Sequence, residues 1–143
     1  MENTLVMKED RINGENTLWN KLSNEAWDVR QRAFLQSGGS THVGASLVTD
    51  RGNIYSGCNI QHMYRSHDIH AEVNAISNMV SGGDNKIERI LIVAVRAFFT
   101  PCGSCMDWIM QFSDDDTIVG FQNEPGGDVQ EFTTKELMPH YPK

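Results

Sequence analysis

The run Ile90-Leu91-Ile92-Val93-Ala94-Val95 is apolar at every position. A strand with one wet face alternates apolar and polar side chains; a strand with no polar side is covered on both. The rest of the chain supplies the cover. Leu18, Leu22, Ala26, Val29 and Ala33 recur at three- and four-residue steps, which predicts one apolar face of a helix. Asn16 or Thr17 can cap its start, and Ser37-Gly38-Gly39-Ser40 stops it. Val43 to Thr49 and Ile54 to Cys58 read as a β-hairpin around Asp50-Arg51-Gly52-Asn53.

Residues 60–69 are irregular and polar. A helix is expected from about His70 to Met79, with Val73, Ile76 and Val80 inward, ended by Ser81-Gly82-Gly83-Asp84. Beyond the apolar strand, Pro101 opens a helix to about Phe112. Thr117 to Phe121 and Val129 to Thr133 read as strands around Pro125-Gly126-Gly127-Asp128, and Thr134 opens a last helical turn that Pro139 ends. The order α-β-β-α-β-α-β-β-α predicts an α/β domain with a mixed five-stranded sheet covered by helices. Residues 16–143 are read as one domain and residues 1–15 as a flexible N-terminal arm. The tetrapeptide Glu-Asn-Thr-Leu occurs at Glu2 and Glu15 with no repetition around it, so it marks no structural period.

A chain of 143 residues buries a genuine core. Its formal charge of −7 repels phosphate backbones, which argues against general nucleic-acid binding. No apolar stretch approaches the roughly 20 residues needed to cross a bilayer, and the N-terminus lacks the apolar core of a secretory signal. The expected setting is cytoplasmic. Three cysteines, Cys58, Cys102 and Cys105, are an odd number and argue against a secreted disulfide framework.

Chemistry concentrates in two segments. Pro101-Cys102-Gly103-Ser104-Cys105 places two thiols three apart at a helix start, on one face, where the helix dipole favours thiolate. Two such thiols are half a zinc site, although a Cys-x-x-Cys pair serves equally as a redox couple. His70-Ala71-Glu72 also sits at a predicted helix start. His70 supplies a third ligand and leaves one coordination position for water, the catalytic pattern. Glu72 stands two residues on, where a carboxylate can shuttle protons. A structural or redox reading stays open, with Cys58 as a fourth ligand or a Cys102–Cys105 disulfide. Trp19, Trp27 and Trp108 are expected in the core or at subunit contacts, and His62, Arg65, His67 and Asp68 in a solvated loop.

His-x-Glu followed by Pro-Cys-x-x-Cys is the motif of the zinc nucleobase deaminases. Over roughly residues 17 to 140 the chain resembles the cytidine deaminase family. Val43-Gly44-Ala45, Gly57-Cys58-Asn59-Ile60, the ten residues between Asn59 and His70, Gly103 and the ending Glu136-Leu137-Met138-Pro139 carry the likeness. The sequence around His70 to Ile76 is also similar to the deoxycytidylate and tRNA-editing branches.

The resemblance implies a three-layer α/β/α fold. It implies zinc on His70, Cys102 and Cys105, and hydrolytic deamination of a cytosine nucleoside, or an analogue, to the uracil form with release of ammonia. Glu72 would then be the proton carrier. The Ala71 N–H would bind the pyrimidine 2-oxo group, the Thr100 carbonyl the 4-amino group, and Asn59 the sugar. A homotetramer engaged in pyrimidine salvage is the implied context.

Three positions depart from the family. Gln61 stands where a glutamate grips the ribose, and Thr41 where an aromatic residue lies near the base. His70 and Val73 replace the cysteine ligand and the arginine usual in short members. The last two agree electrostatically. Zinc with three thiolates is net −1 and needs a nearby cation, whereas zinc with one neutral histidine and two thiolates is net zero. The altered sugar contacts point toward a modified sugar, as in a blasticidin-S-type substrate; deoxycytidylate stays an alternative on the likeness of His70 to Ile76.

Overall fold

The structure, a computed structural model, describes residues 2–142. Helix α1 spans Glu2–Arg30. Residues 2–15, expected to be a flexible arm, are therefore helical and continuous with the segment that packs; Met1 lies outside the described residues. A helix nucleated by its packed half extends at little cost, and Glu, Leu, Met, Lys and Arg are good helix formers. At the other end α1 stops at Arg30, well before Ser37. There the Phe34 N–H donates to the Asn59 carbonyl (3.1 Å) and the Gln61 N–H to the Phe34 carbonyl (2.7 Å), so backbone pairing with the loop after β2 replaces further helix.

Strands β1 (Gly44–Thr49), β2 (Ile54–Cys58), β3 (Ile87–Val93), β4 (Ile118–Gln122) and β5 (Gln130–Thr133) form one sheet in the order β2-β1-β3-β4-β5. The β3/β4 pair is parallel, and the other three pairs are antiparallel. Helix α2 (Ala71–Ser81) links β2 to β3, and α3 (Gly103–Gln111) links β3 to β4. A short α4 (Thr134–Leu137) closes the chain on a capping box between Thr133 and Glu136.

Strand β3 shows why the central run is apolar throughout. Ile90 and Ile92 point into one core with Leu47, Ile76, Met79 and Ile109, beneath α2 and α3. Leu91 and Val93 point into the other with Trp19, Leu22 and Ala26, beneath α1. Each buried Leu, Ile, Val or Met among them stabilises the fold by about 1.5–3 kcal/mol. The result is the expected three layers. The strand ends earlier than its apolar run, however: Ala94 and Val95 lie beyond it, and Val95 is 70% exposed.

The inward face of α2 also differs from the expectation. Ala71, Ala75, Ile76 and Met79 are buried, Val73 is half-buried and Val80 is exposed. The cause is close approach to β2. A Cβ on Gly57 would lie 2.5 Å from the Ala75 nitrogen and 2.7 Å from the Asn74 Cβ, so the helix backbone itself seats on β2 at this glycine. Trp19 is buried and Trp27 half-buried, with its Nε1–H donating to Gln122 Oε1 (2.6 Å), while Trp108 is exposed. No helix among the described residues is long and apolar enough to cross a membrane.

Candidate active site

The two motifs meet because two helices begin side by side above the same edge of the core. His70 is the N-cap of α2 and Cys102 the N-cap of α3. The Cys102 sulfur accepts the Cys105 N–H (3.4 Å), so this thiol does the work a serine or aspartate does at other helix starts. One turn along, Cys105 is buried. His70 Nδ1 lies 3.2 Å from Cys105 Sγ and 3.5 Å from Cys102 Sγ, and the candidate ligand atoms of all three residues fall within 4.8 Å of one another.

The trio fits zinc. Tetrahedral zinc with Zn–S of about 2.3 Å and Zn–N of about 2.0–2.1 Å has S···N edges of about 3.6 Å. One imidazole and two thiols are also the donor types zinc prefers. Cys58 is half-buried on β2 and does not join the cluster among the described residues. Without a cation, burial pushes the Cys105 thiol far up, with the Glu72 charge adding to the shift. A bound metal ion reverses this, because a coordinating thiol gives up its proton.

Glu72 lies in the first turn of α2 and is 6% exposed. Burial raises its carboxyl above the ordinary range; its own backbone N–H, Cys105 and His70 pull the other way without prevailing. A carboxyl whose charged form is disfavoured by burial is suited to take up a proton and give it back.

His70, Glu72 and Cys102 open into a cleft of about 230 Å³. Thr41, Asn59, Ala71 and Thr100 line it too, so the structure gathers four of the five expected substrate contacts. Asn59 is already engaged: its Oδ1 accepts the Val43 N–H (2.8 Å) and its Nδ2 donates to the Thr41 carbonyl (2.9 Å). Gln61 is the exception. It does not line the cleft; its Oε1 accepts the Gln36 N–H (2.9 Å) and its carbonyl accepts from Gln36 Nε2 (3.2 Å). The bend of the chain at Phe34 brings Gln36 across it and ties the amide down.

Sequence reasoning missed Val43, Ile92, Ala94, Arg96 and Phe99 as wall residues. Ile92 to Phe99 lie at and beyond the C-terminal end of β3, which pairs in parallel with β4, and ligands favour such strand ends. That positional rule was the available signal. The polar loop residues stay outside the cleft. His62, Tyr64 and His67 cluster their rings, while Asp68 accepts the His62 N–H (2.7 Å) and Arg65 Nε–H (2.8 Å).

The geometry agrees with what the chain is similar to. Residues 18–121 match the cytidine and deoxycytidylate deaminase zinc-binding region, so zinc is the cofactor this fold carries. A cytidine deaminase from Sporosarcina psychrophila is 32% identical over 120 residues, covering 83% of this chain and 87% of its own. A blasticidin-S deaminase from Bacillus cereus is 30% identical over 109 residues, covering 68% and 74%. The crystal structure of a cytidine deaminase from Burkholderia pseudomallei superposes with a TM-score of 0.74 at 24% identity, covering 84% of this chain and 95% of that one, a likeness of fold. The chain belongs to the cytidine and deoxycytidylate deaminase family.

Proposed function

We propose that this protein hydrolyses the exocyclic amine of a cytosine nucleoside, giving the uracil form and ammonia. The observation that carries the reading is Glu72. It is a buried carboxyl with a raised pKa, beside a His-Cys-Cys cluster, at the wall of a cleft sized for one ring system.

His70, Cys102 and Cys105 hold the zinc. When bound, zinc supplies a Lewis acid that makes a water acidic enough to attack near neutral pH. The Glu72 carboxylate takes a proton from the attacking water and delivers it to N3 of the ring. The oxygen bonds to C4 and the C4–N4 bond breaks. Glu72 carries the second proton to the departing amine, so one water is consumed for each ammonia released. The Ala71 N–H occupies the first helical position of α2, has no partner within the helix, and donates to the 2-oxo group. The Thr100 carbonyl accepts from the 4-amino group. Val43, Ile92 and Phe99 supply an apolar wall that shields the ring from water.

The protein works as a homotetramer in cytoplasmic pyrimidine salvage. Exposed Phe34, Met63, Tyr64 and Phe98 support self-association, and a thiol-based metal site suits a reducing compartment. A second reading shares the site and changes the sugar: a blasticidin-S-type or deoxycytidylate substrate, favoured because Gln61 is turned away and Thr41 offers no ring.

The test couples zinc analysis with ammonia release from cytidine, deoxycytidine, cytosine, deoxycytidylate and blasticidin S. About one zinc per chain with release from a cytosine nucleoside is expected, and the ranking of compounds selects the branch. A zinc-free protein with Cys102 disulfide-bonded to Cys105 overturns the reading.

A further inference from the structure

We infer that Arg96 determines specificity, its guanidinium selecting cytosine compounds whose sugar carries an anionic oxygen group over neutral ones. The inference rests on the deaminase reading, since it concerns the same cleft.

Past β3 the chain turns sharply, with the Arg96 N–H donating to the Ala94 carbonyl (3.0 Å). The turn brings Arg96 to the cleft wall. Its Cζ lies 5.8 Å from the ring centroid of Phe99, another wall residue. A guanidinium resting over a ring keeps its N–H edge open for an acceptor.

That edge meets no ion-pair partner among the described residues, and this separates Arg96 from Arg32, Arg51, Arg65 and Arg89. Arg30 donates to the His42 carbonyl, and Arg32, Arg51, Arg65 and Arg89 pair with Asp28, Asp84, Asp68 and Glu131. No carboxylate comes within ion-pair distance of Arg96 among the described residues, although Glu124 borders the same outer hollow.

The two side chains that family likeness assigns to the sugar are engaged elsewhere. Gln61 is tied to Gln36, and both ends of Asn59 are engaged with backbone. Glu72 is the acid lining the cleft, at its ring end. A chain of formal charge −7 repels anions from a distance, so an anion is held here only by a local, directional donor set. Arg96 is that set. Phosphate and carboxylate share the required chemistry, two oxygens matched to the guanidinium fork.

The test uses the zinc-loaded full chain. kcat/KM is measured for cytidine, cytidine 5′-phosphate and cytidine 5′-carboxylate with the wild type, Arg96→Gln and Arg96→Lys. Dissociation constants of uridine and uridine 5′-phosphate are measured beside them by calorimetry. The wild type should prefer at least one anionic compound about tenfold or more, and the phosphate and carboxylate arms identify which. Arg96→Gln should shrink the anionic-to-neutral ratio about tenfold, equivalent to about 1.4 kcal/mol. Arg96→Lys should keep part of it, and added salt should weaken it. A wild-type ratio near one, or a loss in Arg96→Gln equal for neutral and anionic compounds, overturns the inference. If no cytosine compound turns over, the deaminase reading falls, and the uridine pair still decides Arg96: a ratio near one in the wild type counts against it, a ratio lost in Arg96→Gln for it.

Discussion

The two ends of helix α2 each hold a buried carboxyl, and they hold it in opposite ways. Past the C-terminal end, Asp84 is 3% exposed. Its Oδ2 accepts from Asn53 Nδ2 (2.8 Å), Thr49 Oγ1 (3.1 Å) and the Tyr55 hydroxyl (3.2 Å), and Arg51 lies 3.4 Å from Oδ1. The Asn53 hydrogen bond leads these in holding Asp84 below the ordinary carboxylate range. At the N-terminal end, Glu72 is as well buried but poorly supplied with donors, and burial lifts its carboxyl instead. A buried carboxylate that takes three donors on one oxygen and an arginine beside the other is held in one charge state and ties β1 and β2 to the loop after α2. One starved of donors can change charge, which is what a proton carrier must do.

Breaking the N-terminal end should have the largest effect. His70→Ala removes the imidazole on which both sulfurs converge; zinc content should drop from about one per chain to near zero and ammonia release with it. Retained stoichiometric zinc would show that the cluster is not the metal site. Glu72→Gln keeps the ligands and removes the proton carrier. Turnover should fall about a hundred- to ten-thousandfold with zinc retained, and the melting temperature should not drop, because no donor network is lost.

The C-terminal end should respond the other way. Asp84→Asn should lower the melting temperature by about 5 °C or more while leaving the kcat/KM of the folded protein near the wild-type value. Its pH dependence follows from the sign of the shift. The folded pKa is depressed, so the stabilisation is present above the unfolded value of about 3.9 and is lost as pH falls through the lower folded value. The gap in melting temperature between wild type and variant should therefore stay constant from pH 7 to about 4 and narrow below that; a gap that widens toward acid would contradict the assignment.

The smallest effect is expected midway. Gly57→Ala presses a methyl against the α2 backbone and should cost about 1–3 kcal/mol in denaturant unfolding. If it lowers turnover more than stability, the seat of α2 on β2 sets the position of Glu72 as well.

Much of this was legible in the chain. The apolar run of β3 required cover on both faces, and the structure gives that cover as α2 and α3 on one side and α1 on the other. The site was legible for a similar reason. A His-x-Glu and a Pro-Cys-x-x-Cys at helix starts are short-range patterns, and a helix N-terminus is a local feature that aims its cap residue predictably. Thr41, Asn59, Ala71 and Thr100 came from family likeness, and all four line the cleft.

What failed depended on contacts distant in sequence. Gln61 was misplaced because the hydrogen bond that diverts it comes from Gln36, beyond a helix end that itself lay elsewhere than expected. Val80 was read inward because periodicity counts apolar residues without knowing where the α2 backbone seats on Gly57 of β2. Arg96 and Phe99 escaped notice because nothing local distinguishes a loop that walls a cleft from one that faces solvent.

The sequence by itself determined the layer order, the sheet's composition and the three side chains that can hold a metal, because periodicity, capping and donor chemistry act over a few residues. Only the tertiary structure decided which carboxyl was starved of donors, which arginine reached the cleft wall and which amide was tied down. Those states depend on every group that reaches one point in space, and the chain brings such groups together from positions tens of residues apart.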